Sequence, residues 1–163
     1  MIALTGEELL AWSNRTGEQW RKLFEAHPHL LAIPCDIREV KTAGELLQHI
    51  VAAQLRYAER LAGLPETSYD QIGYQTVAEI FAVHTQGIDL LRGIAADPSY
   101  PWAEEIDFTT RHMGTLRASR RTIFVHALMH GIRHYAQLAT LVRQHGVVPD
   151  WPMDYLFMGA RRA

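Results

Sequence analysis

Three Thr-x-x-Glu sequences, each followed by an apolar stretch with helical spacing, constrain the fold of this chain most strongly. They begin at Thr5, Thr42 and Thr76. In such a capping box the threonine hydroxyl accepts a hydrogen bond from an amide of the first turn. The glutamate carboxylate in turn accepts one from the amide of the cap residue. The sequence therefore predicts three helix starts.

A fourth apolar stretch starts between Thr115 and Arg121 and continues to Gln144, before Gly146. Proline and glycine residues follow the other stretches and predict where those helices end. Four long helices in 163 residues predict an all-α fold, a four-helix bundle that forms a single domain over residues 1–163. The first three predicted helices cover about Gly6–Glu25, Ala43–Ala62 and Val77–Ala95.

Two predicted connections are longer than most loops between helices, which indicates that the helices are not a plain up-down-up-down series. The first, about Ala26–Lys41, includes the apolar segment Leu30–Cys35, which we expect to pack along the bundle. The second, Asp97 to about Gly114, includes Ile106–Thr110. Apolar and polar residues alternate in that segment, which predicts a short strand before the fourth helix.

Composition excludes several classes of protein. The net charge of −2 offers no electrostatic case for binding nucleic acid or an anionic membrane. No apolar run approaches the roughly 20 residues that cross a bilayer. The N-terminal segment becomes acidic at Glu7 and Glu8 before an apolar signal region develops, so we expect a cytoplasmic protein. The single cysteine, Cys35, excludes an internal disulfide and a cysteine-based zinc cluster.

Histidines in the fourth predicted helix indicate a metal site. His126, His130 and His134 are spaced four residues apart, so adjacent ones lie about one turn, roughly 6 Å, apart on one face and can bind one ion. The apolar stripe of the helix passes through His130 and His134, whereas His126 lies on its polar shoulder. The stripe therefore favours the pair His130/His134. His49, at the edge of the apolar arc of the second helix, is the candidate for a third ligand.

A structural role in the protein core is the alternative interpretation of these histidines. An isolated inward histidine is more often a hydrogen-bonded core residue, but burying two imidazoles without a common purpose is costly. His84, in the third predicted helix, is either a core residue or a wall of the same pocket. The chain has no Glu-x-x-His, no His-Glu-x-x-His and no glycine-rich phosphate loop. It is therefore neither a ferritin-like di-iron protein, nor a zincin-type protease, nor a P-loop protein.

Two blocks of residues carry a family resemblance. The first is Leu46–Ile50 followed by Tyr57–Leu61, and the second is His126–Leu138 followed by Leu141–Gly146. Their order, one histidine early in the second helix and His-x3-His late in the last long helix, resembles the DinB-like family of metal-binding four-helix bundles. The resemblance covers nearly the whole chain. Many relatives have Arg-Gly-Gln after the final ligand, where this chain has Tyr135-Ala136-Gln137.

The resemblance implies one divalent metal ion, zinc, nickel or iron, held by His49, His130 and His134 with positions open for water or substrate. It also implies a homodimer, a small-molecule substrate and a low-molecular-weight thiol as co-substrate, because some members are thiol transferases or thiol-dependent isomerases. On that analogy we expect a metal-dependent thiol transferase, isomerase or hydrolase in which a thiol or water is activated.

No catalytic residue can be assigned from the sequence. The candidates for lining the pocket or supporting the ligands are His84, His126, Tyr57 and Gln137. The competing hypothesis is a non-enzymatic, stress-associated protein that binds a metal or a small ligand.

Overall fold

The computed structural model describes residues 4–37, 39–110 and 113–161, so the ends of the predicted domain 1–163 lie outside the described residues. Within them the chain forms four long helices and two small antiparallel sheets, so the fold is mostly but not purely helical. The helices are α1 (Gly6–Ala26), α2 (Ala43–Leu61), α3 (Val77–Ala96) and α4 (Arg120–Gln144). The strands are β1 (Pro34–Ile37), β2 (Val40–Thr42), β3 (Glu105–Thr110) and β4 (Gly114–Ser119).

The predicted helix starts are confirmed. At α1 and α3 both hydrogen bonds of the capping box form. At α2 only half of the box forms, because Thr42 Oγ1 accepts from the Glu45 amide at 3.2 Å while the Glu45 carboxylate accepts from the Lys41 amide at 2.7 Å. The fourth helix begins at Arg120, inside the predicted interval, after the cap residue Ser119.

The packing of the helices is compatible with a four-helix bundle. In the described residues α2 packs mainly against α3 and α4, and α1 packs mainly against the same two helices. The pairs α1–α2 and α3–α4 make few contacts by comparison. The backbones of α2 and α3 approach closely at Gly87, where a Cβ atom would lie 3.3 Å from the backbone of Leu55.

Each long connection contains a β-hairpin. The first buries Leu30 and Ile33, as expected of an apolar segment packed along the helices, but it also forms the hairpin β1–β2, which was not predicted. The strand predicted at Ile106–Thr110 is confirmed as part of β3. It pairs with β4 from Glu105 opposite Ser119 to Thr110 opposite Gly114.

None of the described helices combines the length and the hydrophobicity that a membrane-spanning helix needs. The longest, α4, has 25 residues and carries histidine and arginine side chains along its length.

Candidate metal centre

Three histidine side chains from α2 and α4 meet in one cluster. The ring centroid of His49 lies 4.9 Å from that of His130 and 4.9 Å from that of His134. The two rings on α4 are 4.5 Å apart. One nitrogen of each ring lies within 4.8 Å of the corresponding nitrogens of the other two. We refer to His49, His130 and His134 as the triad.

Local structure explains why the triad forms. His130 and His134 are separated by one turn of α4 and therefore project from the same face. The residues that follow two of the ligands, Ile50 on α2 and Gly131 on α4, face each other, and a Cβ atom on Gly131 would lie 3.6 Å from Ile50 Cγ2. The packing of α2 against α4 at this level brings His49 within reach of the two histidines on α4.

A tyrosine orients the ring of His49. Tyr69 lies in a short 3-10 helix (Tyr69–Gln71) between α2 and α3, and its hydroxyl is 3.0 Å from Nδ1 of His49. The same hydroxyl lies 3.5 Å from the backbone carbonyl oxygen of His49. A metal ion bound at Nε2 would require this imidazole to carry its proton on Nδ1, where the Tyr69 hydroxyl can accept it.

Gln137 orients the ring of His134 in the same way. Its Oε1 atom accepts a hydrogen bond from Nδ1–H of His134 at 2.6 Å, so the lone pair of this ring is on Nε2. That nitrogen accepts a hydrogen bond at 3.0 Å from Nη2 of Arg133. His134 is 5% exposed, and the hydrogen bonds hold its ring in one orientation.

His130 carries a buried polar atom that lacks a partner. Its Nδ1 atom is shielded from solvent and makes no hydrogen bond within the described residues. Burial, helped by the neighbouring imidazoles of His134 and His49, lowers the pKa of His130 to about 2. This ring is therefore suited to act as a neutral nitrogen donor.

The donor set fits a divalent transition metal. Imidazole nitrogens suit zinc, nickel and iron, and ligating histidines usually donate their other N–H group to a protein acceptor. His134 makes such a bond to Gln137, the Tyr69 hydroxyl can accept one from His49, and His130 supplies a third nitrogen within reach of theirs. The residues of the triad would hold the ion.

A cavity of about 850 Å³ opens beside the triad. One wall is formed by Arg60, whose guanidinium group lies 5.1 Å from the ring centroid of Tyr57 and 5.0 Å from that of Phe108. The ring of His126 is 5.2 Å from Tyr57 and 5.5 Å from His130, so the wall continues to the triad. His126 and Tyr57 both line this cavity.

Comparison with protein families identifies the family. The model of the DinB family matches residues 1–160. The chain belongs to the DinB family. Comparison with curated proteins finds no match. In this DinB-family chain the residues after the last histidine follow the Arg-Gly-Gln pattern only at Gln137, which is the residue that binds His134. Tyr135 is instead buried, with its ring stacked on that of Trp20 at 5.9 Å.

His84 was expected either in the core or on the cavity wall, and the structure places it in the core. It is absent from the cavity wall of this DinB-family protein and is 1% exposed in the interior between α1, α2 and α3. Its Nδ1 atom is 2.9 Å from Oε1 of Gln54, and its Nε2 atom has no hydrogen-bond partner in the described residues. Helical spacing correctly placed His84 inward, but the bundle interior extends beyond the pocket.

Three residues of the site were missed in the sequence. Tyr69 lies in a connection without regular periodicity, and Phe108 reaches the cavity from the β3–β4 hairpin. Arg133 stands on the polar shoulder of α4, but its long side chain returns to the triad. The only signal for Arg133 was its position next to a predicted ligand.

Proposed function

We propose that this DinB-family protein is a metal-dependent enzyme that binds one divalent ion, zinc, nickel or iron, at His49, His130 and His134. The observation that carries the proposal is that the triad opens onto a cavity of about 850 Å³ rather than being enclosed by protein. Structural zinc sites usually have four protein ligands, whereas catalytic sites have three and leave a position for water or substrate. A cavity of this size suits a small organic molecule.

The reaction we propose is a transfer, isomerisation or hydrolysis in which a thiol or a water molecule is the nucleophile. A divalent ion on three neutral imidazoles keeps its full charge and lowers the pKa of a thiol or water that binds it. The protein's own residues bind and orient the substrate. Tyr57 and Phe108 offer apolar ring surface, while Tyr69 and Gln137 hold two of the imidazoles in position.

Metal analysis tests the site. We expect protein purified without an affinity tag to contain about one metal ion per chain. His49→Ala, His130→Ala and His134→Ala should each lose it. His145→Ala is a matched control, because His145 is exposed near the end of α4 and its Nδ1 atom contacts the backbone oxygen of Leu141. Full metal content in the triad variants, with loss in His84→Ala or His126→Ala, would show that the ligands are wrongly assigned.

Turnover tests the enzymatic part. Metal-loaded protein and the metal-loaded His145→Ala control are incubated with a panel of low-molecular-weight thiols and electrophiles, in parallel with His130→Ala. Product formation that depends on His130 supports the enzyme. If thiols or electrophiles bind but no product forms with any pair, the chain is instead a non-enzymatic ligand-binding protein.

A further inference from the structure

Arg133 differs from the other arginines that line the cavity. Arg56 and Arg60 both pair with Glu66, at 2.9 and 2.5 Å. Arg117 pairs with Asp107 at 2.6 Å on the hairpin. Arg133 lies within ion-pair distance of none of the carboxylates in the described parts of the chain, and its polar contact there is with Nε2 of His134. Within the described residues its positive charge therefore has no carboxylate partner, and Arg133 is an exposed residue at the cavity wall.

The contact with His134 cannot persist when the triad holds a metal ion. The Nδ1–H of His134 is bound by Gln137, so this imidazole has one lone pair, on Nε2. In the metal-free protein that lone pair accepts from Nη2 of Arg133. An ion bound to the same lone pair displaces the guanidinium group and repels it. Arg133 lines the cavity, so its guanidinium group would then be available to a ligand there.

We infer that Arg133 binds a carboxylate group of the substrate, so that the substrate of this enzyme is a small carboxylate-bearing molecule. The inference rests on the proposed function, because it needs the triad to hold a metal. A guanidinium group presents a planar pair of N–H donors that matches the two oxygens of a carboxylate. An anion between Arg133 and the ion relieves the repulsion between two positive charges. Metal binding and carboxylate binding therefore reinforce each other.

The surroundings of Arg133 favour an anion at this position. Glu66 and Asp107 supply two negative charges against the three positive charges of Arg56, Arg60 and Arg117, so a substrate carboxylate meets a positively charged wall. Among the described residues of that wall, Arg133 is the arginine without a carboxylate partner. The rings of Tyr57 and Phe108 on the wall then face the apolar remainder of the molecule. Arg60, which shares Glu66 with Arg56, lies against these rings, so Arg133 is the arginine of the wall that is left for a carboxylate.

The test uses Co²⁺ as a spectroscopic probe and propanoate as the carboxylate, with propanamide as its neutral isostere. Co²⁺ affinity is measured by competition with a chelator, and propanoate binding by the change in the visible Co²⁺ spectrum at constant ionic strength. The variants are Arg133→Gln and the matched control Arg117→Gln, which removes an arginine from the same cavity. His49→Ala reports whether Co²⁺ occupies the triad.

We expect Arg133→Gln to bind Co²⁺ at least about tenfold more tightly than the natural chain without propanoate, since the competing cation is gone. Propanoate should bind the Co²⁺-loaded natural chain and Arg117→Gln equally, and Arg133→Gln about tenfold or more weakly. Propanamide should bind none of them measurably.

Equal propanoate affinity in Arg133→Gln and the natural chain would overturn the inference while leaving the metal site intact. So would the absence of any propanoate effect on the Co²⁺-loaded natural chain. If Arg133→Gln binds Co²⁺ no more tightly than the natural chain, Arg133 does not compete with the ion for Nε2 of His134, and the inference fails. If His49→Ala binds Co²⁺ as tightly as the natural chain, the triad is not the metal site and the proposed function fails together with the inference.

Discussion

Replacing Gly17 with alanine should destabilise the protein, although alanine is the better helix former. Gly17 is buried in the middle of α1, and its α-carbon faces the imidazole of His84 on α3. A Cβ atom built on Gly17 would overlap Cε1 and Nε2 of that ring and lie 3.1 Å from Nδ1. The ring cannot turn aside freely, because it is buried and hydrogen-bonded to Gln54.

The size of the effect follows from three contributions. Gly→Ala in a helix interior stabilises by about 1 kcal/mol. Forcing an extra methyl group into a packed core costs about 1–3 kcal/mol. Displacing His84 from Gln54 leaves buried polar groups unsatisfied and costs about 1–3 kcal/mol more. The net loss is about 3 kcal/mol, which corresponds to a fall in Tm of roughly 6–12 °C for a chain of this size.

The assay is thermal and urea denaturation of metal-free protein, followed by circular dichroism. Gly93→Ala is the matched control, because Gly93 is exposed in α3 with open space around its Cβ position, and it should gain up to about 1 kcal/mol. In a His84→Ala background the obstruction is gone, so Gly17→Ala should become stabilising. A Gly17→Ala variant as stable as the natural chain would refute the reasoning. So would a double variant whose loss of stability equals the sum of the losses in Gly17→Ala and His84→Ala.

Three further predictions concern the histidines and their partners. Burial lowers the pKa of His84 to about 4, below the 6.5 of the exposed side chain, so the unfolded chain takes up a proton at this residue before the folded chain does. The contribution of His84 to the free energy of unfolding is therefore fully present above pH 6.5 and falls by roughly 3 kcal/mol towards pH 4. In urea titrations at different pH values, His84→Gln should lack this pH-dependent loss of stability. His130→Leu removes a buried nitrogen without a partner and should stabilise metal-free protein by about 1 kcal/mol while abolishing metal binding; a less stable metal-free variant would contradict this. Tyr69→Phe and Gln137→Ala each remove the acceptor that orients a ligand and should weaken metal binding about 10- to 100-fold in chelator competition, whereas unchanged affinity would show that these bonds do not support the triad.

Helix starts and the spacing of the histidines were predictable because both depend on local geometry. The hydroxyl of Thr42 and the amide of Glu45 are three residues apart, so the cap forms wherever the helix does. His130 and His134 share a face for the same reason. The pairing of β1 with β2 was not predictable in this way, since two very short strands depend on the helices around them.

Helical spacing predicts which face of a helix a side chain lies on. It does not predict how far along the bundle the side chain lies or which residue of another helix it contacts. His84 was therefore correctly placed inward but not assigned to the interior beside Gln54. The orientation of Arg133 was missed for a related reason, because a long side chain can leave the face on which its Cα lies. The contact of Tyr69 with His49 was not predictable, because Tyr69 lies in a connection whose course depends on the packing of both flanking helices.

The triad has a consequence for folding, because its ligands differ in how far apart they are along the chain. His130 and His134 are neighbours in any conformer in which that part of α4 is helical, whereas His49 joins them only after α2 has packed on α4, with α3 and the β3–β4 hairpin between them in sequence. An unfolded or half-folded chain offers two ligands at most, and the complete set exists only once these long-range contacts have formed. A bound ion would therefore favour conformers in which α2 is packed on α4, and metal occupancy would measure the share of the population that has reached that stage of folding.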